Sequence, residues 1–143
     1  MNVTVLNGPN LNLLGQREPE IYGYTGLSDI EKMMLGIVED KGISIDFMQS
    51  NREYELVDKI QSLMGEQNQF IIINPAAFTH TSVAIRDALQ ATQIPFIEVH
   101  LSNVYAREEF RKKSFFSDIA VGTISGLGAD GYRLALDFIL NKN

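Results

Sequence analysis

Short apolar runs of strand length alternate along the chain with segments of helical periodicity. The apolar runs cover residues 3–6, 43–47, 70–73, 96–99 and 119–121. The helical segments cover residues 27–41, 55–64, 82–91 and 132–140. Short, nearly continuous apolar strands joined by helices are typical of a parallel sheet that helices cover on both faces. We therefore predict a doubly wound α/β fold with a flavodoxin-like sheet of five parallel strands in the order 2-1-3-4-5.

The size and composition of the chain restrict its partners. Its 143 residues suit one domain with one core, so we predict a single domain over residues 1–143. A net charge of -6 without a long basic block argues against nucleic acid as a partner. The absence of cysteine excludes thiolate nucleophiles and Cys-based metal sites. No apolar stretch reaches transmembrane length and no signal-like segment opens the chain, so we expect a cytoplasmic protein that does not bind membranes.

Residues 8–26 interrupt the alternation directly after the first strand. This segment contains two prolines and four glycines and has no sustained periodicity. Structureless loops of this length often serve as binding loops or lids, although a tolerated surface loop is the alternative. Arg17 and Tyr22 lie in it, and a close arginine on a water-excluding lid would lower the pKa of a tyrosine toward that of a useful base. By spacing alone, an exposed tyrosine with a solvated arginine is the simpler interpretation.

Polar side chains gather at the predicted carboxyl ends of three strands. Ligands of open α/β sheets bind at this edge, beside the switch point between the first and third strands of this order. The residues placed there are Asn7, Gly8, Pro9, Asn10, Asn74, Pro75, Thr79, His80, Thr81, Glu98, His100 and Ser102. Such a mainly uncharged polar set suits a small hydroxylated ligand.

Glu98 and His100 stand two residues apart on the predicted fourth strand. Their side chains therefore share one face of the strand, where a carboxylate orients or charges an imidazole. His80, the other histidine of the chain, is predicted at the same edge of the sheet. The alternative interpretation is a same-face polar pair without chemistry.

Two further patterns carry less information. Gly126, Gly128 and Gly131 match the spacing of a dinucleotide-binding loop, but no second strand and no acidic residue at ribose distance follow them. We therefore interpret them as loop and helix-start glycines. The only basic cluster begins at Arg107 and contains Arg111 with two lysines. It forms either a solvated helix face or a surface with one guanidinium turned toward the ligand.

Seven longer motifs occur in order along the chain. They are NGPNLNLLG from residue 7, REP from 17, IYG from 21, NPAAFTHTS from 74, IRD from 85, EVHLSN from 98 and AREEFR from 106. Together they resemble the type II 3-dehydroquinate dehydratases over nearly the whole chain. Several long motifs in one order are far more specific than any single motif.

The resemblance implies a catalytic domain that removes water from 3-dehydroquinate by anti elimination. The product is 3-dehydroshikimate, the intermediate is an enolate, and the step belongs to the shikimate pathway of aromatic amino acid biosynthesis. No cofactor or metal is implied. Tyr22 would be the base, with Arg17 holding it as phenolate, and His100, oriented by Glu98, would protonate the departing hydroxyl. Asn10 would help to stabilise the enolate through a water molecule.

The resemblance also implies which residues hold the substrate. Asn74, His80 and Arg111 would bind its hydroxyls, and Ser102, with the backbone at Leu101 and Ser102, would receive its carboxylate.

The resemblance further implies an assembly. In similar proteins the residue that matches Asp87 reaches the site from a neighbouring subunit, and the assembly is a dodecamer built from four trimers. Three positions depart from the family pattern, since Arg52 and Tyr54 stand where many relatives carry His and Gly, and Tyr105 often corresponds to His. None of them is in the set that performs the chemistry, so they bear on packing and subunit contacts.

Two rival functions remain open from the residues alone. A non-catalytic flavodoxin-like module would bind a flavin or receive a phosphoryl group. A receiver requires acidic residues where this chain has Asn7, Asn10 and Asn74, and Pro9 interrupts any flavin phosphate loop. The second rival performs the same dehydration through an imine with a lysine, but every lysine of the chain falls in a helical or polar stretch.

Overall fold

Five parallel strands form one sheet in the computed structural model, which describes residues 1–16, 20 and 25–142. The strands are β1 (Asn2–Asn7), β2 (Ser44–Gln49), β3 (Gln69–Asn74), β4 (Phe96–His100) and β5 (Gly122–Ser125). Hydrogen bonds order them β2-β1-β3-β4-β5, and every neighbouring pair is parallel. This order confirms the flavodoxin-like α/β arrangement predicted from the sequence.

Helices occur in every segment where the periodicity predicts one. They are α1 (Leu27–Val38), α2 (Glu53–Ser62), α3 (Val83–Thr92) and α4 (Asp130–Leu140). The first helix ends earlier than predicted because Glu39 already has an extended ψ of 132° and Asp40 a left-handed φ of 62°. None of the helices in the described part of the chain is long and apolar enough to cross a membrane.

Both faces of the sheet are buried, which explains why its central strands are almost continuously apolar. On β3, Phe70 and Ile72 pack into one hydrophobic cluster with residues of α1 and α4. Ile71 and Ile73 pack into a second cluster with residues of α2 and α3. Burial of each such side chain stabilises the fold by about 1.5 to 3 kcal/mol. The two clusters therefore hold the carboxyl end of β3 in a fixed position.

The fifth strand lies later in the chain than predicted. The sequence predicts it at residues 119–121, but β5 begins at Gly122. Ile119 and Ala120 instead form a turn in which both N–H groups donate to the carbonyl oxygen of Phe116, each at 3.1 Å. Their side chains pack against the second cluster, so their apolar character reflects core packing. The prediction was wrong because β5 is a partly exposed edge strand without a continuous apolar run.

The loops after β1 and β3 pack directly against each other. Asn7 pairs with Asn74 in the strand register, and the N–H of Gly8 donates to the carbonyl oxygen of Asn74 at 2.8 Å. A Cβ atom on Gly8 would lie 2.2 Å from the carbonyl oxygen of Pro75. Only glycine therefore allows the two loops to approach this closely.

We expect Gly8→Ala to destabilise the fold by about 3 kcal/mol, because rotating a side chain does not relieve a clash with backbone. The matched control is Gly36→Ala within α1, where nothing lies within 4 Å of the added Cβ. That control should stabilise the protein by about 0.5 to 1 kcal/mol, since alanine is the better helix former. Chemical denaturation measures both effects. A Gly8→Ala variant as stable as the wild type would contradict the close approach of the two loops.

Candidate active site

A cavity of about 130 Å³ opens at the carboxyl edge of the sheet, beside the ends of β1, β3 and β4. The described residues that line it are Pro9, Asn10, Leu11, Leu14, Asn74, Ala76, Ala77, His80, His100, Leu101, Ser102, Val104, Arg107 and Arg111. Most residues predicted to form the site are therefore brought together here. The set comes from segments far apart in sequence, joined by the parallel order of the strands.

Glu98 and His100 form a hydrogen-bonded pair beneath this cavity. The Nε2 of His100 lies 2.5 Å from Oε2 of Glu98, whose side chain is only 1% exposed. Ser114 donates its hydroxyl to Oε2 at 2.8 Å, and Ser117 donates to Oε1 at 2.6 Å. Since Nε2 faces the carboxylate, Nδ1 is the ring nitrogen of His100 that remains for a ligand.

The surroundings of Glu98 favour its charged form. Burial alone raises the pKa of this carboxyl, but the hydrogen bond and charge of His100, with the hydroxyls of Ser117 and Ser114, outweigh it and lower the pKa below its ordinary value. An ionised carboxylate only accepts hydrogen bonds, so Nε2 of His100 carries the hydrogen between them. This hydrogen bond fixes the orientation of the imidazole and leaves Nδ1 for proton exchange with a ligand.

Asn10 occupies a tight bend after β1. Its backbone is left-handed, with φ 69°, a conformation that asparagine tolerates better than most residues. Its N–H donates to Oδ1 of Asn51 at 2.9 Å. The side chain of Gln49, at the end of β2, donates to the same Oδ1 and to the carbonyl oxygen of Gly8. The end of β2 therefore holds the bend that brings Asn10 to the cavity.

The imidazole of His80 has a fixed orientation. Its Nδ1 lies 2.7 Å from the carbonyl oxygen of Lys113, which only accepts, so Nδ1 carries the hydrogen. The ring also meets Phe110 edge to face, with centroids 5.9 Å apart. The opposite nitrogen, Nε2, is the one that remains for a ligand.

Two arginines of the described residues, Arg107 and Arg111, line the cavity, whereas the sequence predicts a site role for Arg111 alone of these two. The guanidinium of Arg111 lies over the ring of Phe110, 4.9 Å from its centroid, and its Nε donates to Glu108 at 3.1 Å. Arg107 donates to the hydroxyl of Ser102 at 3.3 Å. The basic cluster is the signal that identifies this region, but its spacing does not reveal that Arg107 also faces the cavity.

The backbone after β4 offers donors to a negatively charged ligand. The carbonyl oxygen of Leu101 accepts from the N–H of Gly128 at 2.9 Å, and that of Ser102 accepts from the hydroxyl of Ser125 at 3.1 Å. Among the described residues, neither Leu101 nor Ser102 has a protein acceptor for its own N–H. Together with Arg107 beside them, these N–H groups form a concave set of donors that suits an anion.

Of the predicted site residues that the structure describes, Glu98 and Asp87 do not line this cavity, Glu98 because it lies beneath it. Asp87, on α3, lies at a different concavity, beside Arg86, which bonds to Asp118. Arg17 and Tyr22 lie outside the described residues. Within the described ranges, no group of three or more His, Asp or Glu side chains forms a metal site.

Comparison of sequences finds one matching family. The model of Dehydroquinase class II matches residues 1–140 of the chain. The curated 3-dehydroquinate dehydratase of Nitrosomonas europaea is 58% identical over 141 residues, which are 99% of this chain and 98% of that protein. The 3-dehydroquinate dehydratase of Pseudomonas syringae pv. syringae is 59% identical over 140 residues, covering 98% of this chain and 93% of that protein.

Comparison of structures agrees with the comparison of sequences. The type II dehydroquinase of Butyrivibrio crossotus superposes with a TM-score of 0.93 and 44% identity, covering 97% of both chains. The type II dehydroquinase of Propionibacterium acnes superposes with a TM-score of 0.91 and 41% identity, covering 98% of this chain and 96% of that one. The similarity thus extends over nearly the full length of each protein.

The lowered pKa of Glu98 predicts a pH dependence of stability. A depressed carboxyl pKa adds stability above the ordinary value of 4.5, and this contribution is lost as the pH falls below it. We expect Glu98→Gln to be less stable than the wild type by about 2 kcal/mol near pH 7, because the amide replaces a buried acceptor of three hydrogen bonds. The difference should shrink as the pH falls toward about 3.

Urea unfolding at several pH values measures this difference. Glu109→Gln is the matched control, because the Glu109 side chain is 86% exposed and its change should leave stability nearly unaltered. A stability gap between the wild type and Glu98→Gln that stays constant down to about pH 3 would show that the Glu98 carboxylate does not supply it.

Proposed function

The chain belongs to the class II dehydroquinase family, and we propose that it is a 3-dehydroquinate dehydratase. It removes water from 3-dehydroquinate to give 3-dehydroshikimate, a step of the shikimate pathway. The observation that carries this proposal is the Glu98–His100 pair beside a polar cavity at the carboxyl edge of the sheet. An acid beside a site for a hydroxylated ring is what the elimination of a hydroxyl group requires.

His100 acts as the general acid. Its imidazolium gives the Nδ1 proton to the departing hydroxyl, which leaves as water with the electron pair of the broken C–O bond. The carboxylate of Glu98 orients the ring for this step, and Ser114 and Ser117 hold that carboxylate in place. The near-complete burial of Glu98 supports this role, because water does not screen its interaction with the ring.

Tyr22 acts as the base, assisted by Arg17. The phenolate takes the proton from the carbon next to the ketone, and the electrons of that C–H bond form the enolate. Arg17 stabilises the phenolate by its positive charge. The support for both roles is the resemblance of the REP and IYG motifs to those of the family, with the two residues five positions apart in the sequence. The base removes the proton from one face of the ring and the acid protonates the hydroxyl that leaves from the opposite face, so the elimination is anti.

Asn10 stabilises the enolate oxygen through a bound water molecule. An amide at this point supplies a preorganised dipole where negative charge develops, which lowers the barrier without a metal ion. The bend at Asn10, held by Asn51 and Gln49, supports the role because it fixes the backbone that carries the Asn10 side chain to the cavity.

The remaining lining residues bind the substrate. Asn74, His80 and Arg111 hold its hydroxyl groups, and the side chain of Ser102 with the N–H groups of Leu101 and Ser102 receives its carboxylate. The donors around Ser102 support the carboxylate assignment, because an anion is best bound by several converging N–H and guanidinium groups.

The functional protein is a homo-oligomer, in our proposal a dodecamer of four trimers, in the cytoplasm. Each chain is a single catalytic domain over residues 1–143, without a cofactor. Asp87 completes the substrate site of a neighbouring subunit. Its position outside the cavity of its own chain is compatible with such a role.

The imine mechanism has less support. In the described part of the chain no lysine lines the cavity. Lys59 is instead paired with Asp46 at 2.8 Å, and Lys112 with Glu109 at 2.9 Å. A lysine that forms an imine requires a desolvated position next to the substrate carbonyl.

The activity is tested by the rise in ultraviolet absorbance of the conjugated enone when protein and 3-dehydroquinate are mixed. We expect turnover that pretreatment with borohydride in the presence of substrate does not abolish, because no imine forms. Tyr22→Phe should lower kcat about a thousandfold, since it removes the base. Tyr54→Phe, at a tyrosine that is 60% exposed, is the matched control and should keep full activity.

Each alternative result of this assay has a separate meaning. A folded wild type that produces no enone would contradict the proposed reaction. Inactivation by borohydride in the presence of substrate would favour the lysine mechanism. Full activity in Tyr22→Phe would leave the reaction in place and remove Tyr22 as its base.

A further inference from the structure

Tyr132, at the start of α4, is a buried ionisable residue that the proposed reaction does not use. Its side chain is 0% exposed and packs in the first hydrophobic cluster. Its hydroxyl donates to Oδ1 of Asn7 at 2.5 Å and accepts from Nδ2 of Asn74 at 3.0 Å. These asparagines pair at the carboxyl ends of β1 and β3. One hydroxyl therefore joins α4 to the ends of both central strands.

The hydrogen bonds through Tyr132 have a defined direction. The N–H of Ala76 donates to Oδ1 of Asn74 at 3.2 Å, so this end of the amide is the acceptor. Nδ2 at the other end donates to the tyrosine oxygen, and the tyrosine proton goes to Asn7. Burial raises the pKa of Tyr132, so the hydroxyl keeps its proton and stays a donor. The network thus fixes the positions of oxygen and nitrogen in the Asn74 amide.

Asn74 lines the cavity, whereas Tyr132 and Asn7 lie behind it. An asparagine Nδ2 carries two hydrogens, and only one of them is given to Tyr132. We propose that Tyr132 is a positioning residue, which holds the Asn74 amide so that its second N–H is available to an oxygen of the substrate. This inference rests on the proposed function, in which Asn74 binds a substrate hydroxyl, and it names the group that orients that contact.

The orienting role depends on burial. Tyr132 is 0% exposed and Asn7 is 1% exposed, so the position of the tyrosine hydroxyl, behind the cavity, is shielded from solvent. Without the hydroxyl, Oδ1 of Asn7 and one N–H of Asn74 are left without a partner in the interior, which is costly. Rotation of the Asn74 amide toward other hydrogen-bond partners then becomes favourable, and its hydrogen bond to the substrate weakens.

Tyr132→Phe removes the hydroxyl and keeps the ring that fills the core. We expect KM for 3-dehydroquinate to rise about fivefold while kcat stays within about twofold, because a contact made equally in ground and transition states affects binding alone. Tyr105→Phe, at a tyrosine that is 67% exposed, is the matched control and should leave both constants unchanged. A lower free energy of unfolding with an unchanged KM would overturn the proposal, since it would leave Tyr132 a structural role only.

A double-mutant cycle tests whether Tyr132 acts through Asn74. In an Asn74→Ala background the amide to be oriented is gone, so adding Tyr132→Phe should raise KM no further. If Tyr132→Phe raises KM by the same factor in both backgrounds, the two residues act independently and the proposal is overturned.

The side-chain amide signals of Asn74 in ¹⁵N NMR test the contact without turnover. They are assigned by their loss in Asn74→Ala, and they should shift in Tyr132→Phe but not in Tyr105→Phe. If the wild type does not convert 3-dehydroquinate, the proposed function fails, yet these signals still decide whether Tyr132 orients Asn74. Signals that do not move in Tyr132→Phe would overturn the proposal.

If Tyr132→Phe does not fold, the same measurements can be made on a second variant, Asn7→Ser. Asn7→Ser keeps Tyr132 but removes the amide oxygen to which its hydroxyl donates. The tyrosine proton then competes for Oδ1 of Asn74 and disturbs the same amide. The same rise in KM and the same shift of the Asn74 signals are expected, and their absence in this variant would equally overturn the proposal.

Discussion

The parallel pairing of β1 with β3 is the constraint on which the rest of the structure depends. It sets Asn7 beside Asn74 at the carboxyl edge and brings the following loops so close that only glycine fits at position 8. At this point the chain leaves the two strands in opposite directions across the sheet, which opens a crevice. Asn10, after β1, and His80, after β3, both line this crevice.

A second constraint is electrostatic and lies at the end of β4. Burial disfavours the charge of Glu98, but three hydrogen-bond donors from His100, Ser114 and Ser117 overcome this penalty. The arrangement keeps a full negative charge directly beneath the imidazole. A histidine that donates from Nε2 to such a carboxylate is fixed in one orientation, which leaves Nδ1 for the ligand.

Sequence alone is sufficient to predict the strand order and the polar core of the cavity, because alternating apolar runs specify a parallel sheet and place Asn10, Asn74 and His100 at or just after strand ends. It does not predict the rest of the lining, such as Arg107. It does not locate β5, since an edge strand lacks the apolar run of a buried one. It also does not identify Ser117 or Tyr132. Both act through hydrogen bonds to residues distant in sequence. Spacing and periodicity do not predict which hydroxyl bonds to which side chain in the folded chain.

The central claim is that the cavity at the carboxyl edge is the site of dehydration. Both histidines of the chain line this cavity, so their imidazole NMR signals report on it without interference from any other histidine. On titration with the product, 3-dehydroshikimate, the account predicts that the signals of both His80 and His100 shift and saturate together. If calorimetry shows that the product binds while neither histidine signal moves, the ligand occupies another part of the molecule and the account is contradicted.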